Sequence, residues 1–357
     1  MGAPNATLGP SVWAASDGRA GNLAQVRALT QALGDPGRWM RIAHIQGEAH
    51  RQAPMVLKPG APWTWLPADR WPSPLSALPA ALRGQFTPPW PTLWIAAGRR
   101  SAAFSKFVRD QSEGKTFCVH ILDPHVPPSG FDLLVVPEHD GLTGPNIVTL
   151  TGSPAHFSSE TLEEAAQAFA PLADETRPSA VVILGGHSKV HRFTPQAGAR
   201  LEAQLRQLSK EGWRLRLTAS RRTPVSIITQ FRQMAAETGN PFWSSPQDGP
   251  NPYLAWLLFS KAAIVTEDSA NMLSEAAWHG LPVHIAPLEG RADKFTRLHD
   301  SLIARGAARR FTGKLDLWTY QPLREADRTA DIIVSKLLER FPAPAFASAV
   351  STPDWLS

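Results

Sequence analysis

The sequence of 357 residues has one cysteine, Cys118, so no internal disulfide can form and a reducing cytoplasm is the expected compartment. Cys118 sits within the apolar run 117–122, where a thiol behaves as a small buried hydrophobe. No apolar stretch is long enough to cross a bilayer as a helix. The first ten residues lack a basic, then apolar, signal sequence and the arginines of a transit peptide, so neither is expected. Neither sign of charge dominates: 36 basic against 31 acidic residues leave +5, too little to argue for nucleic acid, though suited to phosphate ligands or anionic lipid surfaces. Repeats at solenoid periods are absent. There is no Asp-x-Asp pair of the kind that holds a divalent cation for sugar transfer, and no Gly-x-Gly-x-x-Gly dinucleotide fingerprint. His187 and His191 are four apart but lack the His-Glu-x-x-His pattern, so no zinc site is expected.

What is present is enough apolar sequence, 43% against 19% charged, to build two cores, and the length suits two domains of about 150 residues each. The pattern is α/β throughout: short apolar runs end in polar, glycine-containing turns, and helices follow. Residues 1–155 read as one Rossmann-like domain, 156–178 as a link with a helix near 162–172, 179–340 as a second Rossmann-like domain, and 341–357 as a poorly ordered tail.

In the first half, a strand at 12–15 runs into Asp17, Gly18, Arg19, Gly21 and Asn22, then a helix with Leu23, Val26, Leu29 and Leu33 on one face. Glycines there let a ligand approach the backbone, and Asp17, at a strand carboxyl end, is the candidate base; a helix cap or Asx-turn is the other reading. Strands at 93–97, 117–122 and 133–136 also end in polar residues. Arg99 and Arg100 suit a phosphate on an acceptor or a solvated surface, and Glu138, His139 and Asp140 form a second acid/base candidate group. Residues 54–91 hold ten prolines and Trp63, Trp65, Trp71 and Trp90. Such a segment cannot be a central strand or a long helix, so it should wrap the first domain, with the indoles packed back on it, facing an acceptor or resting on a lipid headgroup layer. Peripheral contact with the inner membrane is expected on that last reading.

In the second half, a strand at 180–184 enters Gly185, Gly186, His187, Ser188 and Lys189, and a helix opens at Thr194-Pro195 with Ala197, Leu201, Leu205 and Leu208 inward. The strand 215–218 ends beside Arg221 and Arg222, whose guanidinium groups fit phosphate oxygens, and Thr223-Pro224 should start the next helix. Trp243 and Asn251, in the loop 240–252, are placed over a nucleotide base. The stretch 263–285 is strand, turn, helix, strand, stopped by Gly280 and Pro282. Ser269, Ala270, Asn271 and Met272 should present free amides and the positive end of the helix dipole to a phosphate. Glu275 lies one turn beyond Asn271, roughly 5.4 Å along the axis, about the reach from phosphate to ribose hydroxyls. The other reading makes Ser269 a plain cap and Glu275 a solvated charge.

The segment SANMLSEAAWHGLPV resembles the nucleotide-binding segment of GT-B glycosyltransferases, such as the enzyme that adds N-acetylglucosamine to the lipid-linked peptidoglycan precursor. With SDGRAGNLAQ, ILGGHSKVHRF and TASRRTP in that order, residues from about 11 to about 340 resemble the plant mitochondrial fission factor family named for elongated mitochondria and its bacterial relatives. The resemblance implies a GT-B-like pair of domains facing a cleft, with a nucleotide diphosphate-sugar as substrate in the second. It places the phosphates at Gly185, Gly186, Ser188 and the serine-rich turn, and the ribose on Glu275. The donor's sugar would pass to an unknown acceptor, lipid-linked or of the cell envelope, without metal or other cofactor. A nucleotide-sugar epimerase of the same fold and a non-catalytic adaptor that recruits a fission protein are the alternatives.

Overall fold

The computed structural model describes residues 11–43, 53–173 and 175–342. The tail expected beyond 341 therefore lies outside the described residues, apart from its first two.

In chain order, the first half forms β1 (Val12–Ser16), α1 (Ala20–Leu33), α2 (Pro36–Ala43), β2 (Met55–Val56), α3 (Ala80–Arg83), β3 (Leu93–Ala97), α4 (Ala102–Gln111), β4 (Phe117–Ile121), β5 (Leu133–Pro137) and β6 (Ile147–Leu150). The second forms α5 (Ser159–Ala168), β7 (Ser179–Leu184), α6 (Pro195–Lys210), β8 (Arg214–Ala219), α7 (Val225–Thr238), β9 (Phe242–Trp243), α8 (Tyr253–Phe259), β10 (Ala262–Thr266), α9 (Ala270–Trp278), β11 (Val283–Ala286), α10 (Asp293–Ala304), β12 (Ala308–Arg310) and α11 (Glu325–Arg340).

Two six-stranded sheets result, ordered β2-β1-β3-β4-β5-β6 and β12-β11-β10-β7-β8-β9, with every pairing parallel. The central strands are apolar and buried on both faces because parallel crossovers put cover on each side. In the first sheet α1 and α11 cover one face, and α4 with the proline-rich segment covers the other. In the second, α6 and α7 lie on one face and α9 and α10 on the other. The expected pair of doubly wound α/β domains is what forms. Among the described residues no helix is long and apolar enough to cross a membrane.

Strand order reverses between β1 and β3 in the first sheet, and between β7 and β10 in the second. At such switch points neighbouring connections leave in opposite directions and open a crevice at the strand carboxyl ends. The turns after β1, β3, β7 and β10 carry Asp17, Arg99, Gly185 and Ser269 respectively, so the topology brings the candidate residues to two crevices.

Two expectations change, and a third, that the proline-rich segment packs its indoles back on the first domain, holds for all but Trp65 among the four named. The last helix, grouped by sequence with the second domain, packs Ala326, Ala330, Ile333, Val334 and Leu337 into the first core, against α1. Thr223 does not cap α7: its hydroxyl bonds the carbonyls of Leu184 (2.9 Å) and Gly185 (2.5 Å), tying β8 to β7, and Pro224 takes the cap position. The proline-rich segment packs Trp71 and Phe86 into the core and Trp63 and Trp90 partly against it, leaving Trp65 exposed.

Candidate functional site

The second-domain crevice is built around a buried aspartate that sequence reading passed over. Asp268 accepts the Thr266 hydroxyl on Oδ1 (2.7 Å) and the Gly186 amide on Oδ2 (3.0 Å), and Oδ2 also meets the Arg222 guanidinium at 2.8 Å. Thr266 Oγ1 accepts the Gly185 amide at 2.7 Å. A Cβ on Gly185 would stand 2.0 Å from Asp268 Oδ1, and one on Gly186 2.0 Å from the Arg222 carbonyl oxygen. Glycine is needed at both positions for this close approach. Their amides are therefore taken by Thr266 and Asp268, and neither residue lines the cleft where phosphate contact was expected.

The remaining candidates do converge on one cleft of about 1150 Å³ between the domains. Ser188 and Lys189 edge it, and the Ser188 hydroxyl accepts the amides of Val190 and His191. Arg221 is exposed on it and has no ion-pair partner among the described residues. Ser269 caps α9 by accepting the Met272 amide (3.4 Å), and no acidic side chain occupies the helix's first turn to neutralise its dipole. Ala270 and Met272 line the wall beside it.

Asn271 reaches across to the first domain. Its Nδ2 donates to the Gly21 carbonyl and its Oδ1 accepts from Gln25 Nε2, both at 3.1 Å. One turn on, Ser274 Oγ accepts the Ser153 amide at 2.9 Å, and Lys294 meets Asp140 at 2.6 Å. These bonds hold the cleft in its present width. Asn271→Ala removes two of them, worth about 0.5–1.5 kcal/mol each, and faster amide exchange across 20–25 is the expected result. Unchanged exchange would show that the other contacts suffice.

Glu275 is no solvated charge. It is half-buried on the cleft wall and accepts the Tyr253 hydroxyl at 2.5 Å. Burial pushes its carboxyl up to about 7, against a smaller downward pull from Tyr253, while burial and the facing carboxylate push the tyrosine well above its usual range. Trp243 and Asn251 are not at the cleft: Trp243 Nε1 donates to the Gly249 carbonyl, and Asn251 accepts the Tyr253 amide, which orients the tyrosine.

The first-domain crevice is a pocket of about 470 Å³, and Arg19, Asn22, Lys189 and Lys294 line both it and the cleft. Asp17 is buried at its wall. One oxygen closes an Asx-turn with the Arg19 amide (3.2 Å) and accepts Asn22 Nδ2 (2.9 Å); the other has no hydrogen-bond partner, with Arg19 Nε 3.9 Å away. The Asx-turn reading of Asp17 therefore holds for one oxygen, and the other is left without a hydrogen-bond partner. Gly18, at φ 83, makes the turn, and Gly21 lies against Asn271. Arg99 is exposed on the same pocket. Of the second acid/base group, Asp140 is held by Lys294, and His139 is buried, with its imidazole pushed down to about 4 by that burial.

The chain is similar to several known proteins. Mitochondrial fission protein ELM1 of Arabidopsis thaliana is 27% identical over 281 residues, 70% of this chain and 65% of that protein, so the match spans just under two thirds of the relative's length. The uncharacterized protein RP120 of Rickettsia prowazekii (strain Madrid E) is 27% identical over 287 residues, 68% of this chain and 79% of that protein. A solved structure of UDP-GlcNAc 2-epimerase from Neisseria meningitidis bound to UDP-GlcNAc is 10% identical with a TM-score of 0.49, covering 92% of this chain and all of that one. The family model for mitochondrial fission ELM1 matches residues 20–337, which run from the first turn of α1 to the last buried leucine of α11. Every strand except β1, most of the cleft lining and nearly all of the helix that returns to the first core thus fall inside the match, and the chain belongs to the mitochondrial fission ELM1 family.

Proposed function

We propose that the protein is a metal-independent glycosyltransferase that binds a nucleotide diphosphate-sugar in the cleft and passes the sugar to an acceptor held by the first domain. The observation that carries this reading is the line from the N-terminus of α9, whose first turn holds no acidic residue, to Glu275, one turn along the same wall. A diphosphate at Ser269 to Met272 gains the helix dipole, the amides of Ala270 and Asn271 and the guanidinium of Arg221, with Arg222 and Lys189 nearby, while the Met272 amide stays on the Ser269 hydroxyl. The ribose hydroxyls then reach the Glu275 carboxylate. Departure of the diphosphate is stabilised by charge already in place, and the free oxygen of Asp17 would take the acceptor's proton. A UDP-sugar is our choice of donor.

An epimerase would keep the nucleotide site and need no acceptor. A non-catalytic adaptor has one observation on its side: Asn271 and the amides of Gly185 and Gly186 are already bonded within the protein. Thermal stabilisation across UDP, GDP, CMP, ADP and their sugar conjugates separates the readings. One nucleoside diphosphate should raise the unfolding midpoint of the wild type and leave Glu275→Ala unmoved. No shift with any of them would favour the adaptor.

A further inference from the structure

The first-domain pocket has three features that the donor site does not use. Its fixed cations are in excess: Arg19, Arg99, Arg100, Lys189 and Lys294 face Asp17, Asp123 and Asp140, and while Asp140 is matched by Lys294 at 2.6 Å, Arg99 and Arg100 have no carboxylate partner among the described residues. Gly98, at φ 95, turns the chain so that both arginines leave the end of β3 beside Asp17; a Cβ there would lie 2.7 Å from Asp17 Oδ2. The second feature is that buried, unpartnered Oδ2, on a side chain only 1% exposed, which calls for a hydrogen-bond donor. The third is an apolar edge. Trp65 is 79% exposed and Leu66 43%, both lining the pocket, while Trp63 and Trp71 from the same segment pack inward.

The wall between these features is strained. Leu122 and His125 hold φ of 73° and 55°, unusual for non-glycine residues, and Asp123 fixes the turn by accepting the His125 amide at 2.7 Å. Such backbone persists only where its surroundings enforce it, and it gathers at binding sites.

We propose that this pocket binds a phosphate-bearing amphiphile: the phosphate on Arg99 and Arg100, a hydroxyl donating to Asp17, and the alkyl part against Trp65 and Leu66. As an acceptor site it rests on the transferase reading; as a binding site it does not. Phosphate alone would satisfy the arginines, and a neutral lipid the indole. Only a molecule carrying phosphate, hydroxyl and chain together meets all three.

Lauroyl lysophosphatidic acid, kept below its micellar concentration, carries all three, and calorimetric titration of the full chain tests it. Glycerol phosphate lacks the chain and monolauroylglycerol lacks the phosphate; each should bind at least about tenfold more weakly. Arg99→Ala/Arg100→Ala, at exposed positions, should weaken the lysophosphatidate by at least about tenfold, with Trp65→Ala and Asp17→Asn each weakening it less. Absent binding, equal binding by the double arginine variant, or equal binding of glycerol phosphate would each overturn the proposal. The same samples titrated with UDP and UDP-sugars report on the donor site separately. Nucleotide silence with arginine-dependent lysophosphatidate binding would sink the donor reading and leave the pocket standing.

Discussion

Replacing Asp268 by alanine is expected to cost the second domain about 3–5 kcal/mol, the range for stripping a partner from a buried charged network. The carboxylate is fully buried and holds three groups: the Gly186 amide, the Thr266 hydroxyl and the Arg222 guanidinium. Arg222 is largely solvated, so its pair contributes little of this. The cost comes from the amide and hydroxyl left buried without a partner, and from the space vacated between turns that two glycines bring within contact distance. Asp268→Asn keeps the shape and one oxygen acceptor and should recover roughly half the loss. Denaturant midpoints for the three proteins decide it: a loss below about 1 kcal/mol in the alanine variant would mean the turns hold without their aspartate.

The second large effect depends on pH. The Glu275 carboxyl is raised from its ordinary 4.5 to about 7 in the folded state. The native protein thus holds this proton more tightly than the unfolded chain, so the group's contribution is most favourable below about 4.5 and is lost as pH rises to about 7. The fall cannot exceed about 1.4 kcal/mol per pH unit for one proton, or about 3 kcal/mol in all. Glu275→Gln has nothing to ionise, so it should match the wild type near pH 4.5 and be the more stable protein at pH 8. Parallel stability curves for the two would place the carboxyl's pKa at its ordinary value. If nucleotide binds as proposed, its ribose favours the ionised form: wild-type affinity should rise from pH 6 to pH 8, and the glutamine variant's should not.

The buried strands were legible because each is a short apolar run closed by a polar turn, by glycine or by proline, and β1, β3, β7 and β10 fall within a residue or two of their expected bounds. The edges were not. β2 is two residues beside a proline, and β6 is half-exposed with a threonine facing out, so neither shows the run that marks a central strand. Helices α6 and α9 announced themselves through Thr194 and Ser269, which cap them as read.

At the candidate site, Asn271 and Glu275 were visible by spacing, but what each touches was not. The Tyr253 partner of Glu275 comes from α8, and the Gly21 and Gln25 partners of Asn271 come from the other domain; no local pattern encodes such pairs. The Gly185-Gly186 turn misled for a physical reason. Sequence shows that a backbone must be approached closely, and here the approaching group is the protein's own aspartate and main chain, not a phosphate.

The return of α11 to the first core also governs the order of biosynthesis. The face of the first sheet that α11 shares with α1 has all its strands early in translation, yet its cover is among the last helices made. At roughly 5–20 residues per second, the part of that face that α1 does not cover stays open on the nascent chain for on the order of tens of seconds. Completion of the first core therefore waits on the second domain, and chaperone capture during synthesis should concentrate on the apolar surface of α1 and α2 that α11 later covers, until Ile333 and Leu337 leave the ribosome.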